Sequence, residues 1–135
     1  GIIYNDRGDK QLAEKYYLLA IEKRNTVMAM TYLGKLYHGE NNYNLAKKYY
    51  LMAVEYDEPI AMNYLGVIYG NEKNYDLAEK YLKMSISYEN SEAMYNLFRM
   101  YLMLSDFENA RKYLEMAAKG GHREAIEALE YLNSD

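Results

Sequence analysis

Apolar residues recur along this chain at intervals of three and four. In Ala61, Met62, Leu65, Ile68 and Tyr69 the spacing places every apolar side chain on one face of a helix. Leu77, Ala78, Tyr81, Leu82, Met84 and Ser85 repeat the pattern, with Ala and Ser where a partner helix must come close. Between these runs, Gly70-Asn71-Glu72-Lys73-Asn74 is a polar breaker, as is Gly39-Glu40-Asn41-Asn42 one unit earlier. Pro59 stands where a helix can begin, because the N–H it lacks has no partner in a first turn. No segment alternates in the manner of a strand. The pattern predicts A helices over about 27–38, 59–70, 91–104 and 123–133, and B helices over about 9–24, 43–56, 75–88 and 107–119.

The helices repeat as pairs. Ala29, Ala61, Ala93 and Ala125 are 32 residues apart, and the sequence that follows each is nearly copied: AMTYLGKLY, AMNYLGVIY, AMYNLFRMY and AIEALEYL. The B segment from Leu45 to Ala53 recurs at Leu77 to Ser85 and at Asn109 to Ala117. An earlier copy, Leu12 to Ala20, is offset by one residue in the connector Lys23-Arg24-Asn25-Thr26, where an insertion costs little. A period of this length is the mark of units that bury their apolar faces only against neighbours. The expected organisation is one repeat domain over 1–135. It comprises an incomplete first unit over 1–26, complete units over about 27–58, 59–90 and 91–122, and a capping helix over 123–135.

Composition narrows the function classes. A net charge of −4 without a cluster of Lys and Arg argues against nucleic acid. No apolar run reaches the roughly 18 residues of a membrane helix, and no cleavable signal is visible, which points to a cytoplasmic chain. With no Cys, disulfides and thiolate metal sites are excluded. His38 and His122 lie in different units without a second ligand at metal spacing, so no metal or other cofactor is expected. No Gly-rich run ends in Lys-Ser or Lys-Thr, the serines have no activating context, and Asp57-Glu58 sits in a turn. The tyrosines at 37, 69 and 101 and at 49, 81 and 113 recur once per unit. They are therefore read as core with their hydroxyls at the rim.

The run Leu33-Gly34, Tyr37, Tyr43, Ala46, Tyr50, Ala53 resembles the tetratricopeptide repeat. The stretch from Ala110 through Tyr113, Ala117-Ala118 and Gly121 to Ala125 is similar to the Sel-one-like repeat. The 32-residue unit reads as a hybrid of the two. The resemblance implies an all-α, right-handed α-solenoid of antiparallel helix pairs with A helices lining a concave wall. On this sequence the inward positions would be Thr31, Lys35 and His38; Asn63, Val67 and Gly70; and Tyr95, Arg99 and Leu102. These vary between copies, while the leucines and tyrosines between them barely change. The implied activity is a non-catalytic interaction scaffold for a protein or peptide carrying a carboxylate and an apolar side chain. The alternative is a regulatory or targeting module of a larger protein, such as an enzyme. A carboxylate clamp of the kind some tetratricopeptide domains use is out of register, because Thr31 and Tyr64 stand where amide or basic groups are needed.

Two irregularities carry expectations of their own. Phe98 replaces the glycine of Gly34 and Gly66, so a bulky ring should splay that helix pair or plug a gap. Ile2, Ile3 and Tyr4 begin in mid-unit, which predicts further upstream repeats or self-association through an uncapped N-terminal end.

Overall fold

The structure, a computed structural model, describes residues 11–16, 18 and 26–134. The expectation for Ile2, Ile3 and Tyr4 lies outside these residues. Residues 11–16 are helical. Seven helices follow: α1 (Thr26–Gly39), α2 (Tyr43–Val54), α3 (Pro59–Asn71), α4 (Tyr75–Ile86), α5 (Ser91–Met103), α6 (Phe107–Lys119) and α7 (Arg123–Asn133). There is no strand among the described residues. The class is the all-α repeat solenoid expected from the sequence. The chain divides into two compact units, one up to Ala61 and one from Met62.

The turns explain why every helix stops where it does. Asn41, Asp57, Lys73, Glu89, Ser105 and Gly121 have φ between 59° and 90°, and each lies 16 residues after the last. At most of these turns the helix closes with paired backbone bonds of the Schellman type. Around Lys73, for instance, Lys73 N–H reaches Gly70 O at 3.0 Å and Asn74 N–H reaches Tyr69 O at 2.8 Å. The next residue then caps the following helix. Asn42, Asn74, Asn90, Asp106 and His122 each accept a first-turn backbone N–H with their side chains. One residue thus ends one helix and starts the next, and the 32-residue unit is two 16-residue helix-and-turn halves. This also shortens the B helices, whose expected ends near 56 and 88 give way to turns after Val54 and Ile86.

In the first unit α1 packs on α2. Ala29, Met30, Leu33 and Tyr37 are buried on α1, and Ala46, Tyr49, Tyr50 and Ala53 on α2. Gly34 makes the approach possible, since a Cβ there would lie 2.5 Å from two ring carbons of Tyr50. In the second unit α4 packs on α5, α5 on α6 and α6 on α7. Its core joins Ala78 and Leu82 to Leu97, Phe98, Leu114 and Ala125. Gly66 repeats the close approach, with Leu82 Cγ 2.7 Å from its missing Cβ. At the third copy, Phe98 is buried 5.5 Å (centroid to centroid) from Tyr95 and joins the core, filling rather than voiding that position.

The repeated tyrosines form stacked pairs, one per helix pair: Tyr37 with Tyr49, Tyr69 with Tyr81 and Tyr101 with Tyr113, at 5.7, 5.8 and 5.7 Å. Exposed Lys48, Lys80 and Lys112 lie over the second ring of each pair, a cation–π arrangement. The Tyr101 hydroxyl donates to Glu79. Burial, then the Glu79 and Glu14 carboxylates, pushes the Tyr101 and Tyr37 phenols well above their ordinary range, and burial likewise raises Tyr49. A raised phenol pKa means that the folded state prefers the neutral form. The stability this contributes is complete below pH ~10, the unfolded value, and is lost as pH rises beyond it. In an alkaline titration followed at 295 nm, the tyrosinate signal should therefore lack these three rings until the helical signal collapses. Ionisation of all 18 tyrosines in one step, with helicity intact, would contradict this.

Candidate functional site

The second unit contains a groove of about 260 Å³ between two A helices. α3 contributes Gly66, Val67, Gly70 and Asn71 to one wall. α5 contributes Asn96, Arg99, Met100 and Met103 to the other, and Leu82 of α4 forms part of the lining. Each wall follows from helical periodicity, since residues three and four apart share a face. The two glycines set the α3 wall close against α4: a Cβ at Gly66 would lie 2.7 Å from Leu82 Cγ, and one at Gly70 would touch Ala78 Cβ at 3.7 Å. Asn96 Nδ2 donates to Asn63 Oδ1 at 2.9 Å, tying α5 to α3.

The chemistry of the lining is mixed. Val67, Leu82, Met100 and Met103 offer apolar surface, and thioether side chains adapt to irregular shapes. Asn71 and Asn96 supply amides. Arg99 is exposed and pairs with no carboxylate among the described residues, leaving a planar fork of N–H donors at the groove. Such a site can bind an anionic group and an apolar side chain together.

The positions expected to face a partner are distributed as follows. In the first unit Thr31, Lys35 and His38 run along one side of α1 at helical spacing. Thr31 is buried and its hydroxyl donates to Val27 O at 3.0 Å. Lys35 is exposed, with its ammonium 5.7 Å from the Tyr32 ring centre. His38 is half-buried, with Nδ1 3.4 Å from the Tyr50 hydroxyl, and desolvation lowers its pKa. In the second unit Val67, Gly70 and Arg99 meet in the groove. Asn63 is buried beneath its bond to Asn96. Tyr95 turns away to stack on His122, with centroids 4.5 Å apart, and Leu102 is exposed outside the groove.

Gly66, Asn71, Leu82, Asn96, Met100 and Met103 were not among the expected inward positions. The signal available was the 96/99/100/103 spacing, one helical face of α5. His122 holds a structural post. Its Nδ1 accepts Ala125 N–H at 3.2 Å as the cap of α7, and its Nε2 lies 2.8 Å from Glu92. Among the described residues no group of three His, Asp or Glu could hold a metal ion. No described helix is long and apolar enough to cross a membrane.

Two family models match successive segments of the chain. The tetratricopeptide repeat model matches residues 29–59 and 61–92, the two units that carry Leu33-Gly34 and Leu65-Gly66. The Sel1 repeat model matches residues 6–25 and 91–122, the latter being the unit where Phe98 takes the place of that glycine. No curated protein matches the chain significantly. Repeats of both kinds generally mediate protein–protein interaction and are typically non-catalytic. With copies of these two repeats in succession along it, the chain belongs to the tetratricopeptide and Sel1-like repeat superfamily.

Proposed function

We propose that the chain is a non-catalytic scaffold whose A helices present a groove to a peptide or protein partner, with the α3–α5 groove as its principal seat. The observation that carries this reading is the meeting of Arg99 with Val67, Met100 and Met103 over two glycines. An apolar lining of this kind rewards an apolar side chain, at up to roughly 1.5–3 kcal/mol for full burial. The guanidinium adds a charge-assisted, bidentate contact to a carboxylate. Asn96, already held by Asn63, presents a pre-ordered amide for a peptide main chain. Lys35, at the register position of Arg99 and Val67 on α1, is assigned the same role toward an acidic partner in the first unit.

A displayed library of random peptides, selected on the wild-type protein, tests the reading. Peptides with an acidic residue near an apolar one should be enriched, and Arg99→Glu should weaken them by about tenfold to a hundredfold, on the scale of one charge-assisted bond. Arg99 is exposed, so the variant should keep its helical signal. Failure to enrich any peptide over an unrelated protein, or equal binding by Arg99→Glu, would reject the groove.

A further inference from the structure

The turn after α5 differs from its counterparts. Leu102, Met103, Leu104 and Phe107 are 47, 62, 43 and 65 % exposed, four large apolar side chains around one three-residue turn. At the same register the other copies carry His38, Gly39 and Glu40, and Gly70, Asn71 and Glu72, before Tyr43 and Tyr75. Packing does not require apolar residues at the first three positions, because the same turn forms twice with small or polar ones, whereas the Phe107 position is aromatic in all three copies. A solvent-facing apolar cluster of this kind marks an interaction surface. Met103 also lines the groove, so the cluster meets the groove at that residue, one helical turn from Arg99.

We infer that this turn is the second anchor of the same ligand: an extended acidic peptide whose carboxylate sits on Arg99 and whose following apolar side chains cover Met103, Leu104 and Phe107. The inference rests on the groove reading above. Its register follows from geometry. Arg99 and Met103 are one helical turn apart, about 6 Å at ~1.5 Å per residue. An extended chain covers that distance in about two residues at ~3.3 Å each, and residues two apart share a face. The motif is therefore an acidic residue, an apolar one two positions later, and another apolar one two positions after that. The partner is a protein segment with alternating side chains, since the guanidinium selects an anion and the turn selects apolar groups.

The probe is a short fluorescein-labelled peptide in a glycine–serine background with aspartate, then phenylalanine and leucine at those spacings, read by fluorescence anisotropy. Leu104→Ser/Phe107→Ser should weaken its binding by roughly tenfold, the burial of part of two apolar side chains. Arg99→Glu should weaken it by about tenfold to a hundredfold, and moving the phenylalanine one position further should weaken it by roughly tenfold. Unchanged helical circular dichroism shows that each variant is folded. Full binding by Leu104→Ser/Phe107→Ser with loss in Arg99→Glu would overturn the second anchor and leave the groove standing. Equal binding of the shifted peptide would overturn the extended register. No binding of the probe to the wild type at millimolar concentration would overturn the inference, with the library selection judging the groove on its own. Capture of the wild type by phosphatidylcholine–phosphatidylserine vesicles, lost in the double variant, would assign the turn to a lipid surface and overturn the peptide.

Discussion

Gly34→Ala should destabilise the protein by about 1–2 kcal/mol, although alanine is the better helix former by up to ~1 kcal/mol. The added Cβ would fall 2.5 Å from two ring carbons of Tyr50, and that ring is fully buried beneath α1 and so cannot swing aside. Overpacking a filled core costs about 1–3 kcal/mol, which exceeds the propensity gain. The same helix supplies the control. Gly39 lies near the end of α1 with nothing within 4 Å of its would-be Cβ. Gly39→Ala should therefore be neutral or slightly stabilising, and the difference between the two variants isolates packing from propensity. Urea unfolding followed at 222 nm measures both, and equal midpoints would remove the close contact from the account. Gly66→Ala should behave as Gly34→Ala does, since its Cβ would meet Leu82 at 2.7 Å and the Ala78 carbonyl at 3.2 Å.

The opposite outcome is expected at the turns. Replacing Asp57, Lys73, Glu89 and Ser105 together by glycine should stabilise the chain by about 2–4 kcal/mol. All four hold positive φ, between 59° and 64°, where an L side chain costs about 1–2 kcal/mol. Glycine relieves that strain but loses about 0.5–1 kcal/mol to the extra freedom of the unfolded chain, leaving roughly 0.5–1 kcal/mol of gain per site. The sites are sixteen residues apart along the chain, so their effects should add. In a chain of this size the sum corresponds to a rise in Tm on the order of 10 °C. Asn41 is left in place, because asparagine tolerates this conformation and its Oδ1 accepts the Tyr43 hydroxyl at 2.9 Å. Gly121→Ala is the reverse test. It has open space but a φ of 90°, so it should lose stability through backbone strain alone. A thermal scan showing no gain in the fourfold variant would mean that these turns carry no strain.

Much of this was legible in the chain. The helices, their pairing and the tyrosine core follow from local spacing, because a helical face is written in residues three and four apart. The left-handed turns were half legible. The polar pairs Asn41-Asn42, Lys73-Asn74 and Ser105-Asp106 mark them, but only one of the six positive-φ positions is a glycine. The 16-residue half-period was hidden for that reason. A backbone that closes in a Schellman motif and caps the next helix accepts many polar side chains, so identity does not repeat where geometry does.

The lining of the α3–α5 groove was less legible. Placing Tyr95, Arg99 and Leu102 on the inner face of α5 differs by one residue at two positions from the observed Asn96, Arg99 and Met103. One residue turns a helix by about 100°. Which edge faces the groove is decided by contacts distant in sequence: Tyr95 stacked on His122, and Asn96 bonded to Asn63.

By itself, then, the sequence determined a repeated all-α chain with tight turns and a core of alanines, leucines and tyrosines, since each is enforced within one or two helical turns. Tertiary structure alone decided the rotation of α5, the union of Arg99 with Met103 across from Gly66 and Gly70, and the exposure of the apolar cluster that meets them at Met103. These depend on how neighbouring helices rest on one another, and a 32-residue period specifies that they touch without specifying which edge they turn outward.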